Sequence, residues 1–137
     1  MEPKKILIVE DDEFLRSLNA KRLETEGFKV SVAVDGQSAI DLIPKELPSL
    51  IFLDLLLPGV DGFEVLKNVR ANPLPDKWQP VIIVSALGEL DNMRKGFDLE
   101  ADHYLVKPCD IESILKSIRL MKSLLPQRRK KEEMGHN

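Results

Sequence analysis

Five side chains suited to handling a phosphoryl group stand at the ends of four short apolar runs. Ile6-Leu7-Ile8-Val9 runs into Glu10-Asp11, Leu50-Ile51-Phe52-Leu53 into Asp54, Val81-Ile82-Ile83-Val84 into Ser85, and Tyr104-Leu105-Val106 into Lys107-Pro108. Three carboxylates packed together repel one another, so such a group holds a proton or binds a cation. Oxygen-only ligands suit Mg²⁺, which keeps several of its waters and commonly bridges to phosphate. With a lysine and a hydroxyl beside them, and no histidine or cysteine pair, these residues suit phosphoryl transfer. Charge on the equatorial oxygens would be shared among the metal, Lys107 and Ser85 while a carboxylate oxygen attacks in line. Asp54 is the candidate nucleophile, because it stands alone at its run and is followed by apolar residues. Reading the acids and Lys107 as surface ion pairs would leave their placement at the end of every run unexplained.

The elements that must gather these residues follow from the same runs. Short, Ile- and Val-rich, and separated by helix-like stretches, they read as buried strands of a parallel sheet. In such sheets the ligand crevice lies outside the carboxyl ends of the strands. The chain reads as five repeats of strand then helix, with a less regular second strand at Lys29 to Ala33. Helices are expected from Asp12 to Glu26, with Phe14, Leu15, Leu18 and Leu23 on one apolar arc, and from Gly36 to Ile43, ended by Pro44. Further helices are expected from Phe63 to Ala71 and from Glu89 to Leu99. The last, with Asp110 as N-cap and Ile111, Ile114, Leu115 and Ile118 at helical spacing, should end near Leu125. Right-handed crossovers put helices on both faces of the sheet. Strand order is not fixed by these patterns, but order 2-1-3-4-5 would bring Glu10, Asp11 and Asp54 to one crevice.

At 137 residues the chain suits one domain with a substantial core. Its 43% hydrophobic and 31% charged composition is that of an ordinary globular protein. No apolar run approaches the roughly 18 residues of a membrane span, and Met1-Glu2-Pro3-Lys4-Lys5 lacks a signal-peptide core. The lone Cys109 forms no internal disulfide, in keeping with a cytoplasmic setting. A net charge of -3 argues against direct nucleic-acid binding. Arg128-Arg129-Lys130-Lys131, followed by Glu132-Glu133, reads as part of a solvated tail or linker.

The ordered set Val9-Glu10-Asp11-Asp12, Asp54-Leu55-Leu56-Leu57-Pro58-Gly59-Val60-Asp61-Gly62, Ser85-Ala86 and Tyr104-Leu105-Val106-Lys107-Pro108 resembles the receiver domain of bacterial two-component response regulators. The resemblance covers residues 4–125, leaving 126–137 as a polar tail or the start of a linker. It implies a flavodoxin-like α/β fold, a doubly wound five-stranded parallel sheet in order 2-1-3-4-5. By that resemblance Asp54 is the phosphoacceptor, Asp11 a direct Mg²⁺ ligand, Glu10 a ligand through water, and the backbone carbonyl of Leu56 a further ligand. Ser85 and Lys107 would contact the phosphoryl oxygens, with a cis Lys107–Pro108 bond, and Tyr104 would be the switch aromatic. Asp12, third in a row of acids, falls to the start of the helix. Cys109 replaces a usual aromatic and reads as a small core residue. Glu100 replaces a usual glycine, at a cost of about 1 kcal/mol if that position needs φ > 0. Trp78 is expected to pack in the loop before the fourth strand, and His103 to lie at the surface.

The implied function is a phosphorylation-dependent switch. It takes phosphate from a sensor histidine kinase or phosphotransfer protein and acts on an output domain or protein target, with dimerisation on phosphorylation a further expectation. It would catalyse only its own phosphorylation and dephosphorylation. A Mg²⁺-dependent phosphatase of the haloacid-dehalogenase type is the alternative. It needs a second acid two residues past the nucleophile, where this chain has Leu56, and a cap domain. A pseudo-receiver would be expected to lack an acid or the lysine, and none is missing.

Overall fold

The computed structural model describes residues 4–75 and 77–121. The expected ends of the last helix and of the domain, and the polar tail, lie outside these residues. Five strands, β1 (Lys5–Val9), β2 (Lys29–Ala33), β3 (Leu50–Leu53), β4 (Val81–Ser85) and β5 (His103–Val106), form one sheet in order β2-β1-β3-β4-β5. Every pairing is parallel. The order has its switch point between β1 and β3, so the carboxyl ends of these neighbours open a crevice between them.

The sheet is covered on both faces, and strand alternation divides the core in two. Leu7, Val9, Ile51, Leu53, Val81 and Ile83 face one cluster, filled out by Phe63, Val65, Leu66 and Val69 of α3 (Gly62–Ala71) and Ala39 of α2 (Gly36–Glu46). Ile6, Ile8, Leu50, Phe52, Ile82 and Val84 face the other, against Leu23 of α1 (Glu13–Thr25) and Ile114, Ile118 and Met121 of a helix over 111–121, α5. Strands buried on both faces need apolar residues at nearly every position, which is why these runs do not alternate in type. The fourth helix, α4 (Leu90–Asp98), buries only Gly96.

Four helices start on an aspartate whose carboxylate accepts a backbone N–H three residues on: Asp12 from Leu15 (2.9 Å), Asp35 from Ser38 (2.7 Å), Asp61 from Glu64 (3.0 Å) and Asp110 from Ser113 (2.9 Å). Asp12 thus serves α1 as expected. Two sequence expectations fail. Pro44 does not end α2, which runs to Glu46. The proline sits in the last turn, where its missing N–H forfeits a single helical bond. The turn still closes through the Leu47 N–H to Ile43 O (2.9 Å), with Leu47 left-handed at φ 48°. Phe14 does not share the α1 core arc: it is 73% exposed, in the opening turn and on the side of the helix opposite buried Leu23. None of the described helices is long and apolar enough to cross a membrane.

Candidate functional site

At the carboxyl ends of β1 and β3, Glu10, Asp11 and Asp54 bring carboxylate oxygens within 4.8 Å of one another. Glu10 and Asp54 are each only 5% exposed, while Asp11 is exposed. The Lys107 ammonium, delivered from just past β5, reaches between the two buried acids: it lies 2.8 Å from Asp54 Oδ2 and hydrogen-bonds Glu10 Oε1. The bond from Lys107 to Pro108 is cis. Backbone groups hold the rest of the cluster. The Leu56 N–H donates to Asp54 Oδ1 (3.1 Å), the Asp12 N–H donates to Glu10 Oε2 (3.2 Å), and the Arg16 guanidinium donates to the carbonyls of Glu10 (3.1 Å) and Asp11 (3.3 Å).

Strand periodicity accounts for who meets whom. Glu10 and Asp54 continue the even positions that face α1 and α5, and Lys107 continues from Leu105, which packs on that same face. A cavity of about 20 Å³ beneath the acids, lined by Ile8, Phe52, Val84, Asn19 and Ile114 among others, lies on this side. Ser85 and Tyr104 continue the opposite face, with Val81 and Ile83. Their bonds accordingly run to the loop between β4 and α4. Ser85 Oγ accepts the Leu87 N–H (3.3 Å), and the buried Tyr104 hydroxyl donates to the Leu87 carbonyl. The Lys107 N–H donates to the Ser85 carbonyl (2.8 Å), joining the two groups through backbone.

Electrostatics follow from burial. Burial raises the Glu10 pKa above 4.5 and the Asp54 charge adds to this, while the bonds from Lys107 and the Asp12 amide oppose it. Burial works against the Lys107 charge, but its contacts with Asp54 and Glu10 outweigh burial and hold the ammonium above its ordinary 10.5. Burial, with the Asp54 charge, likewise raises Tyr104.

Three neighbours of the site, Arg16, Gly62 and Leu87, were not singled out from sequence as functional. Gly62 packs so closely under the nucleophile that a Cβ there would fall 2.3 Å from the Asp54 carbonyl oxygen and 2.6 Å from Leu55 Cα. Its place in a turn motif was visible, but the close approach is not a sequence signal. Leu87 acts through backbone groups alone and leaves no signal in residue type. Glu100 does adopt positive φ, at 67°. Cys109 is half-buried against the α1/α5 cluster, and burial pushes its thiol up, away from reactivity. His103 is half-buried on β5, outside the acid cluster.

A family model described as the response regulator receiver domain matches residues 6–119. The DNA-binding dual master transcriptional regulator RpaA of Synechocystis sp. is 40% identical over 117 residues, which cover 85% of this chain and 48% of the relative. Sporulation initiation phosphotransferase F of Bacillus subtilis is 37% identical over 115 residues, 84% of this chain and 90% of the relative. Among solved structures, the CheX-CheY-BeF3-Mg+2 complex from Borrelia burgdorferi matches with a TM-score of 0.79 at 28% identity, over 90% of this chain and 90% of that one. The chain spans about half the length of the first curated relatives, 48% of one and 54% of the next.

Proposed function

The chain belongs to the response regulator receiver family, whose domains are phosphorylation-dependent signalling switches, and on that premise we propose that Asp54 is its phosphoacceptor and Lys107 the cation that reads the phosphate. The observation that carries this reading is the contact of one ammonium with two buried carboxylates at the switch point of the sheet. The donor set fits Mg²⁺: three carboxylates in mutual reach, with no thiolate or imidazole in the group. Asp11, Glu10 and Asp54 would hold the ion, with the Leu56 backbone carbonyl as a further ligand. When bound, it would neutralise charge on the transferred group.

The donor is a phosphohistidine of a sensor kinase or phosphotransfer protein. An Asp54 carboxylate oxygen forms the new P–O bond as the P–N bond breaks, and the departing imidazole takes a proton from water. Lys107, already beside Asp54, follows the phosphoryl oxygens. The Ser85 hydroxyl does the same by leaving the Leu87 N–H. That exchange is how the site speaks to Tyr104, because Leu87 is bonded to both side chains. Phosphate favours a second state only through contacts that differ between states, and Ser85 and Lys107 are placed to make them. The response passes to an output domain or separate protein target, and the chemistry of this domain is the gain and loss of its own acyl phosphate. Nothing in the site favours a phosphatase acting on outside substrates.

Acetyl phosphate with Mg²⁺ tests the assignment. Intact mass should show one acid-labile phosphoryl adduct, absent without Mg²⁺ and absent in Asp54→Asn. An adduct that survives in Asp54→Asn would overturn it.

A further inference from the structure

A polar clasp lies at the other end of the sheet from the acids. Arg70, near the end of α3, stacks over the Trp78 ring at 3.9 Å and donates to the Gln79 carbonyl (2.6 Å), the Glu100 carbonyl (Nε 3.1 Å, Nη2 2.7 Å) and Asp102 Oδ2 (3.3 Å). The Asp102 side chain is 3% exposed and also accepts from Trp78 Nε1 (2.9 and 3.1 Å) and the Val81 N–H (2.8 Å). Through Glu100 this clasp grips the C-terminal end of α4. There the Glu100 N–H bonds Phe97 O (2.9 Å) and the Ala101 N–H bonds Gly96 O (3.0 Å), with Glu100 left-handed between them. That is a closed helix stop, and Arg70 takes the Glu100 carbonyl at its apex. Gly96, the buried residue of α4, rests against the sheet just before it: a Cβ there would fall 2.8 Å from Ile83 Cδ1 and 3.4 Å from Tyr104 Cδ2.

The other end of α4 is built differently. Its N-cap, Glu89, makes no side-chain cap bond, and Leu90 is 62% exposed. The loop ahead of it is held through Leu87, to Ser85 and Tyr104. We propose that α4 is a lever pinned at residues 96–101 by the Arg70 clasp, so that phosphorylation swings its N-terminal end and leaves its C-terminal end in place. Arg70 is a positioning residue in this scheme: it touches no reacting atom but decides which end of α4 responds. The inference rests on the switch reading given above and adds to it the direction of motion and the residue that sets it.

Site-resolved amide hydrogen exchange on the full chain, with and without beryllofluoride and Mg²⁺, tests it. In the wild type, amides of 88–93 should change exchange on beryllofluoride binding while those of 97–101 stay within about twofold. In Arg70→Met, which keeps an apolar stem on Trp78, amides of 97–101 should exchange about tenfold faster at rest and join the response. Trp78→Phe, which removes the bond to Asp102 but keeps a ring under Arg70, should do the same more weakly. Equal changes across 88–101 in the wild type, with the expected changes at Asp54 and Lys107, would overturn the lever alone, whether or not the variants fold. Unaltered exchange at 97–101 in folded Arg70→Met would overturn the role of the clasp. No change at Asp54, Leu56 or Lys107 would overturn the switch reading and the lever with it.

Discussion

Replacing Lys107 by Met should make the protein less stable at neutral pH and hand the lost stability to Mg²⁺. The ammonium compensates two carboxylates whose side chains are 6% exposed, and is itself 19% exposed. Removing one partner of a buried pair costs about 3–5 kcal/mol. The lower end applies because Lys107 keeps some solvent and Glu10 can take up a proton in its place. A loss of about 3 kcal/mol corresponds to a fall in Tm of about 10 °C for a domain of this size. The sign with pH follows from the directions at the site. Lys107 is raised, so its stabilisation is whole below 10.5 and disappears only as pH climbs through its folded value. Glu10 is also raised, so its stabilising contribution is present below 4.5 and is lost as pH rises through its folded value. Without Lys107 only the Asp12 amide is left to offset that loss and the repulsion from Asp54. The gap between wild type and variant should therefore open as pH rises from 4.5 through the folded value of Glu10 and be complete at neutrality. Saturating Mg²⁺ should narrow it, because a ligand at 100 times its Kd adds about 2.7 kcal/mol and the variant has no ammonium to displace. Denaturant unfolding of both proteins, with EDTA and with Mg²⁺, measures all of this. A neutral-pH loss below about 1 kcal/mol, or one equal at acid and neutral pH, would show that solvent screens the pair and that the reasoning is wrong.

Asp11→Asn should abolish Mg²⁺ binding followed by amide shifts while leaving the fold intact; unchanged affinity would place the ion elsewhere. Glu100→Gly should stabilise the protein by about 0.5–1 kcal/mol in urea unfolding, since the left-handed conformation costs a side chain about 1–2 kcal/mol and glycine returns part of that as backbone entropy. The same helix stop at the end of α1 already carries a glycine, Gly27 at φ 99°. Gly62→Ala should cost about 1–3 kcal/mol, because its Cβ has only backbone atoms to push against. It should slow labelling by acetyl phosphate as well, since the carbonyl displaced belongs to Asp54.

Strands β1, β3 and β4 were legible because burial on both faces demands unbroken apolar runs, and the acids, Ser85 and Lys107 because each ends an apolar run on the same side of the sheet. The sharing of Lys107 between Glu10 and Asp54 was also within reach, by counting strand alternation past Val9, Leu53 and Val106, but residue type alone does not show it. Pro44 misled because a proline signals helix termination without saying how many residues later, and Phe14 because it lies about two and a half turns before buried Leu23, on the opposite side of the helix, so the arc was drawn too wide. The Arg70 clasp had no signature. Its members are up to 32 positions apart, and a surface-type arginine, a loop tryptophan and an acid before a strand each look ordinary alone.

The clasp also decides what light can report. The chain has a single tryptophan, and Trp78 precedes the start of β4, whereas Ser85 ends it. Five residues of strand at about 3.3 Å each put the indole some 15 Å or more from the acids. The indole carries a guanidinium on its face and a carboxylate on its N–H, so its emission should respond to changes in the clasp. A flat fluorescence trace during a Mg²⁺ titration would thus say nothing about binding. The same trace recorded on phosphorylation becomes an internal control: an undisturbed indole marks the stationary end of the molecule while the other end moves.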